Sequence, residues 1–191
     1  MVKAFLEEMV LEKADLTELE KEYAEKQGVS LENVKVGDIE LASRFSDAYI
    51  VRSHKETEEI IAEADVEFFR QPLSYFKKHK DEYIYVESKW FEALGVDAVS
   101  LELDDLFKTY GVMIGLKQKK NVGPAIKSFL EKELEGESLK YAAMFNGDEG
   151  IWDINFSLDY VKGFSDELTI GESYLMIHQL LFKLVTTLEE K

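Results

Sequence analysis

Ile151-Trp152-Asp153-Ile154-Asn155-Phe156-Ser157-Leu158-Asp159-Tyr160 sets Trp152, Ile154, Phe156, Leu158 and Tyr160 at one parity and Asp153, Asn155, Ser157 and Asp159 at the other. A period of two over ten residues is the mark of a strand buried on one face and wet on the other. Upstream, Leu139, Tyr141, Ala143 and Phe145 alternate in the same way, and Asn146-Gly147-Asp148-Glu149-Gly150 supplies turn chemistry between the two runs, so the spacing predicts a β-hairpin over residues 138–160. From Glu172 to Glu190 the period changes: Tyr174, Leu175, Ile177, Leu181, Phe182, Leu184, Val185 and Leu188 form a stripe too wide for a surface helix, which predicts a helix buried against the hairpin, with Gly171 and Ser173 as its entry.

Working back toward the N-terminus, Gly123-Pro124 opens a helix with proline at its first position, and Gly136 closes it. Gly111 to Lys117, Glu82 to Glu87 and Asp47 to Arg52 read as strands, Val99 to Leu103 as a strand or the start of a short helix to Tyr110, and Lys89 to Leu94 as a short helix stopped by Gly95. Ile60, Ile61, Ala64, Phe68 and Phe69 lie opposite Glu56, Glu58, Glu59 and Glu63 on a helical wheel, so Lys55 to Phe69 is expected to be helical, with one or two further turns after Pro72. Val2 to Lys13 and a second helix ending at Gly28, with Asp15-x-x-Glu18 and Thr17-x-x-Glu20 both spaced for a capping box, make an acidic helical N-terminal arm over residues 1–28, whose narrow apolar side is expected to cover the sheet of its own subunit, or else to dock on a basic partner or a second copy. The expected class is α+β: a largely antiparallel, twisted sheet of five to six strands with the C-terminal helix and others packed on it, all in one domain over 1–191.

Composition narrows the function. Hydrophobic residues make up 46% of the chain and aromatic ones 12%, which is enough for a packed core. With 39 acidic against 23 basic residues the formal net charge is -16, and the cationic footprint that nucleic acid or an anionic membrane requires is missing. Arg44, Arg52 and Arg70 are the only guanidinium groups, which lowers the expectation of phosphate recognition again. Residues 1–67 hold 18 of the acidic and 8 of the basic residues, a local net of -10. With no cysteine there is no disulfide and no thiolate ligand or nucleophile; together with a start that carries Glu7 and Glu8 inside its apolar run, this points to a reducing, cytoplasmic setting.

Two places invite chemistry. Lys117, Lys119, Lys120, Asn121, Gly123 and Lys127 join a strand to a helix N-terminus, where free N–H groups and the dipole favour an anion. The loop lacks the glycine pattern of a phosphate cradle, so the alternative is a solvated lysine cluster. Asp153, Asn155 and Asp159, with Ser157, form a polar row on the outer face of a strand; neighbours on that face stand about 6.8 Å apart, too far for all to share one ion. His54, His79 and His178 belong to no metal-ligand or triad pattern, and the sequence implies no cofactor. The leading expectation is a non-catalytic protein that acts through protein–protein contact or self-association, the acidic arm being its contact surface. The competing expectations are an anionic-ligand binder or enzyme at the lysine loop and hairpin, and an acidic mimic of nucleic acid.

Overall fold

The computed structural model describes residues 1–32, 34–136 and 140–189. Seven strands form one sheet: β1 (Tyr49–His54), β2 (Ile60–Ala64), β3 (Glu82–Glu87), β4 (Val96–Leu103), β5 (Tyr110–Leu116), β6 (Tyr141–Asn146) and β7 (Ile151–Ser157). Their order is β2-β1-β3-β4-β5-β7-β6, with every neighbouring pair antiparallel. The α+β class therefore holds, with seven strands in place of five to six.

The added strand is β2, which occupies the region expected to be helical from Lys55 to Phe69. Its pairing with β1 shifts register between Arg52 and Ser53, so that Ile60 faces Ser53 while Ala62 faces Arg52 and Ile61 is left as the bulged residue. A bulge inserts one residue and breaks strict alternation, and Ile60-Ile61 then mimics helical spacing. Beyond β2, Val66–Arg70 and Leu73–Lys77 are short 3-10 turns rather than α-helix.

One continuous row of aliphatic side chains crosses the whole sheet: Ala64, Ile50, Val86, Val99, Ile114, Ile154 and Ala143 stand opposite one another strand by strand. The helices gather on that side. They are α1 (Val2–Leu11), α2 (Glu18–Lys26), α3 (Leu41–Arg44), α4 (Lys89–Glu92), α5 (Gly123–Glu133) and α6 (Ile170–Glu189). Their buried residues and the inward strand residues form a single core cluster. Helix α6 is seated on the middle strands, where the Tyr174 hydroxyl donates to the Ile84 carbonyl at 2.8 Å. It begins one residue before Gly171, because Thr169 and Glu172 form reciprocal hydrogen bonds that cap it. Helix α5 meets the hairpin instead. A Cβ on Gly123 would stand 2.3 Å from Cη2 of Trp152, so glycine is what lets the indole ring lie against the helix start.

The hairpin β6–β7 pairs Phe145 with Trp152 and Tyr141 with Phe156. Ser138 and Leu139, expected at its start, lie outside the described residues, as does Glu190 at the end of the last helix. Strand β7 stops at Ser157, and Leu158–Tyr160 turn away as a 3-10 segment. Residues 1–28 do not stand apart from the rest: Val2, Leu6, Met9, Leu16, Tyr23 and Ala24 are all buried in the common core. Thr17 and Glu20 make the capping box of α2.

Candidate contact face

The reverse side of the sheet is lined differently. Its central row runs Glu63, Val51, Tyr85, Ser100, Met113, Asn155 and Ala142, each opposite the next across the ladders. A second row runs Ile60, Ser53, Tyr83, Glu102, Gly111 and Ser157. Tyr83, Tyr85 and Met113 are half-buried, while Tyr49, Glu87, Asn155 and Met144 are exposed. Val51 is buried yet stands outside the core cluster, because its cover comes from this face and not from the helices. A sheet that packs helices on one side only presents such a face to water, and here the face carries tyrosines and methionines between carboxylates.

Most of the charges on it are carboxylates, with Lys55 near Glu102 and Lys117 paired to Asp97. The Tyr85 hydroxyl donates to Glu87 at 2.7 Å and that of Tyr49 to Glu63 at 3.3 Å. Partial burial first, and then the carboxylate of Glu87 and the charge of Asp97, push the Tyr85 phenol up to about 12. Tyr49 is raised too, by desolvation and by Glu63. Burial likewise raises Glu102, with Asp104 and Asp105 adding to the effect and Lys55 opposing it. At the end of the face near Tyr49 lies a concavity of about 470 Å³ lined by Asp47, Glu87, Glu92 and Asp97 with Ser88 and Lys89. Lys89 reaches out of it to Glu12 at 2.8 Å, and the Asp47 carboxylate is held by the Ser88 hydroxyl and the Lys89 N–H. Such a surface attracts cations, and its tyrosine rings offer flat, electron-rich faces to them.

The lysine loop is spread out. Lys117 pairs with Asp97. Lys120 sits 5.7 Å above the Phe145 ring, and the carbonyls of Lys119 and Lys127 accept hydrogen bonds from the Trp152 indole N–H and the Tyr141 hydroxyl. Asn121 is exposed, and Gly123 is pressed against Trp152. Of the polar row, Asp153, Asn155 and Ser157 stay on the open face, opposite Gly115, Met113 and Gly111. Asp159 leaves it; its carboxylate accepts from the Tyr110 N–H at 2.6 Å and the Ser157 hydroxyl at 3.2 Å. Burial raises the Asp159 carboxyl, and those hydrogen bonds partly offset the rise.

Two carboxylates work inside the molecule. Glu20, almost wholly buried, takes Nη1 and Nη2 of Arg44 at 2.9 and 2.8 Å, and the Arg44 guanidinium stacks 3.6 Å above the Trp90 ring. Burial opposes ionisation of Glu20, but Arg44, His178 and the Thr17 N–H together hold it below the usual carboxylate range. His178 lies beside this pair, with Nδ1 3.8 Å from Glu20. Burial lowers its imidazole to about 4, against the opposing pull of Glu20. Glu82 gathers Arg52 through two hydrogen bonds of 3.0 Å, the Tyr75 hydroxyl at 2.7 Å and His79 Nδ1 at 3.1 Å, which ties β1 and β3 to the Leu73–Lys77 turn.

The tyrosine face escaped the sequence reading because alternation in Glu82 to Glu87 reveals two sides of one strand, whereas the neighbours of each side depend on register. Among the described residues no group of three or more His, Asp or Glu is placed to hold a metal ion, and no helix is long and apolar enough to cross a membrane. The fold thus defines an α+β protein with a seven-stranded, wholly antiparallel sheet covered by helices on one side. Comparison with known proteins adds no relative: no family model, no curated protein and no solved structure matches the chain.

Proposed function

We propose that this protein acts by contact, without catalysis, and that its uncovered sheet face receives a basic protein partner. The observation that carries the reading is the row Glu63, Val51, Tyr85, Ser100, Met113, with Glu87 and Glu102 beside it: a half-buried tyrosine and methionine set among carboxylates on the side the helices leave open. Tyrosine gives contact area at low entropic cost, methionine adapts to the shape it meets, and carboxylates beside them select lysine and arginine. This relocates the contact surface from the acidic N-terminal segment, whose apolar side chains are used in the core.

An oligolysine peptide titrated into the labelled protein tests it. Its resonance shifts are expected at Tyr49, Tyr83, Tyr85 and Met113, with affinity that weakens as salt is added. Tyr85→Ala together with Glu87→Lys should weaken binding at least about tenfold without altering the fold. Shifts scattered over the helical side, or none, would remove the reading.

A second reading is an anionic ligand at Lys119, Lys120, Asn121 and Lys127. Its support is the exposure of those four side chains at the start of an eleven-residue helix. Phosphate titration that moves the amide resonances of Asn121 to Ile126 would favour it over contact with a basic partner.

A further inference from the structure

Among the described residues the sheet has two free edges, and they differ in charge. Strand β2 ends one side of the ladder order and β6 the other. From Tyr141 to Asn146 strand β6 contains no carboxylate, whereas the segment that contains β2 bears exposed Glu56, Glu58, Glu59, Glu63, Asp65 and Glu67 and no lysine or arginine between them. Within that acidic frame Ile60 and Ile61 are 62% and 46% exposed. Two uncovered isoleucines on a strand with one unpaired ladder side are a costly surface, and proteins ordinarily blunt such an edge. Here the surrounding carboxylates guard it against acidic or identical strands.

We infer that the free edge of β2 takes an extended, lysine-rich or arginine-rich segment of a partner protein as an added antiparallel or parallel strand. This rests on the contact reading above and specifies how the partner binds. Main-chain hydrogen bonds would supply affinity, the isoleucines would pack against alternate apolar side chains of the incoming segment, and the carboxylates would pair with its cations. A second copy of this chain is the poorer occupant. Antiparallel pairing about Ala62 would set Glu59 of each copy against Asp65 of the other, and like charges facing across a ladder are destabilising. The same glutamates that repel a copy therefore admit a basic strand, which is selection by repulsion as much as by attraction.

The test uses the full chain and a short peptide of alternating lysine and valine. Expected results are slower hydrogen exchange at amides within Ile60–Ala64, which docking on the open face alone would not produce, shifts in β1 and β2 in addition to those on the open face, and loss of that protection by about tenfold or more in Ile61→Lys. A peptide of the same sequence N-methylated at every residue should give no protection of Ile60–Ala64, since it has no N–H to donate to the ladder from either edge. If the methylated peptide protects these amides equally well, strand addition is overturned while docking on the open face survives. If an alternating glutamate–valine peptide binds as tightly as the lysine one, or neither binds, the proposal falls on charge or outright. Concentration-dependent dimerisation abolished by Ile61→Lys would also overturn it, by making a second copy the occupant.

Discussion

At the scale of single residues, the strongest commitments lie around Glu20 and Arg44. Both side chains are out of water, so removing one leaves the other charge uncompensated. Arg44→Met is expected to cost about 3–5 kcal/mol in urea unfolding. Adding Glu20→Leu should recover part of that loss, although the α2 capping box goes with it at about 1 kcal/mol. His178 makes a separate, pH-dependent contribution. Its imidazole titrates near 4 in the fold and near 6.5 when unfolded, so the unfolded chain binds the proton first as pH drops. Stability from this group is complete above about pH 6.5 and is lost progressively down to about pH 4, on the order of 3 kcal/mol. The slope of stability against pH in that window should flatten in His178→Phe; an unchanged slope would assign the acid sensitivity elsewhere. Glu20, held below its usual value, loses its contribution only below about pH 4.5, so the two effects are separable.

At the scale of elements, α1 and α2 are structural parts of the core. Leu6 and Val2 have no exposed surface and Met9 almost none, and Leu16 pairs as an isolated bridge with Val36. Leu6→Ala should therefore cost about 2–5 kcal/mol by calorimetry or denaturant, well beyond the effect of truncating an exposed residue such as Leu11. A helical wheel shows that this segment has an apolar side but not what that side touches. Strand β2 shows the opposite difficulty. Its bulge hides the period of two, and only the pairing with β1 reveals that Ile60 and Glu63 share the open face. By contrast β7 was legible because Trp152, Ile154 and Phe156 alternate without interruption and are buried as that pattern requires.

At the scale of the whole molecule, the net charge of -16 acts on stability and on binding with opposite signs. Salt screens repulsion among the carboxylates, so raising sodium chloride from about 0.05 to 0.5 M should raise Tm by a few degrees, on the order of 1 kcal/mol. The same salt should weaken a basic peptide on the sheet face. A melting temperature indifferent to salt would show that the carboxylates do not repel one another appreciably. Because the face lies opposite the core, substitutions at Tyr85 and Met113 are expected to alter contact with little change in folding.

Local order was written into the chain: the alternation of Trp152 to Phe156, the apolar stripe from Tyr174 to Leu188, the Thr17-x-x-Glu20 cap, and the net charge of -16. These depend on near neighbours and on composition, which a sequence states directly. Tertiary structure alone decided that Lys117 would turn to Asp97, that Glu20 would bury itself against Arg44 and Trp90, and that Tyr85 would stand between Val51 and Ser100. Each of those neighbours is distant in sequence, and strand order and register, set by the burial of one whole face at once, bring them together.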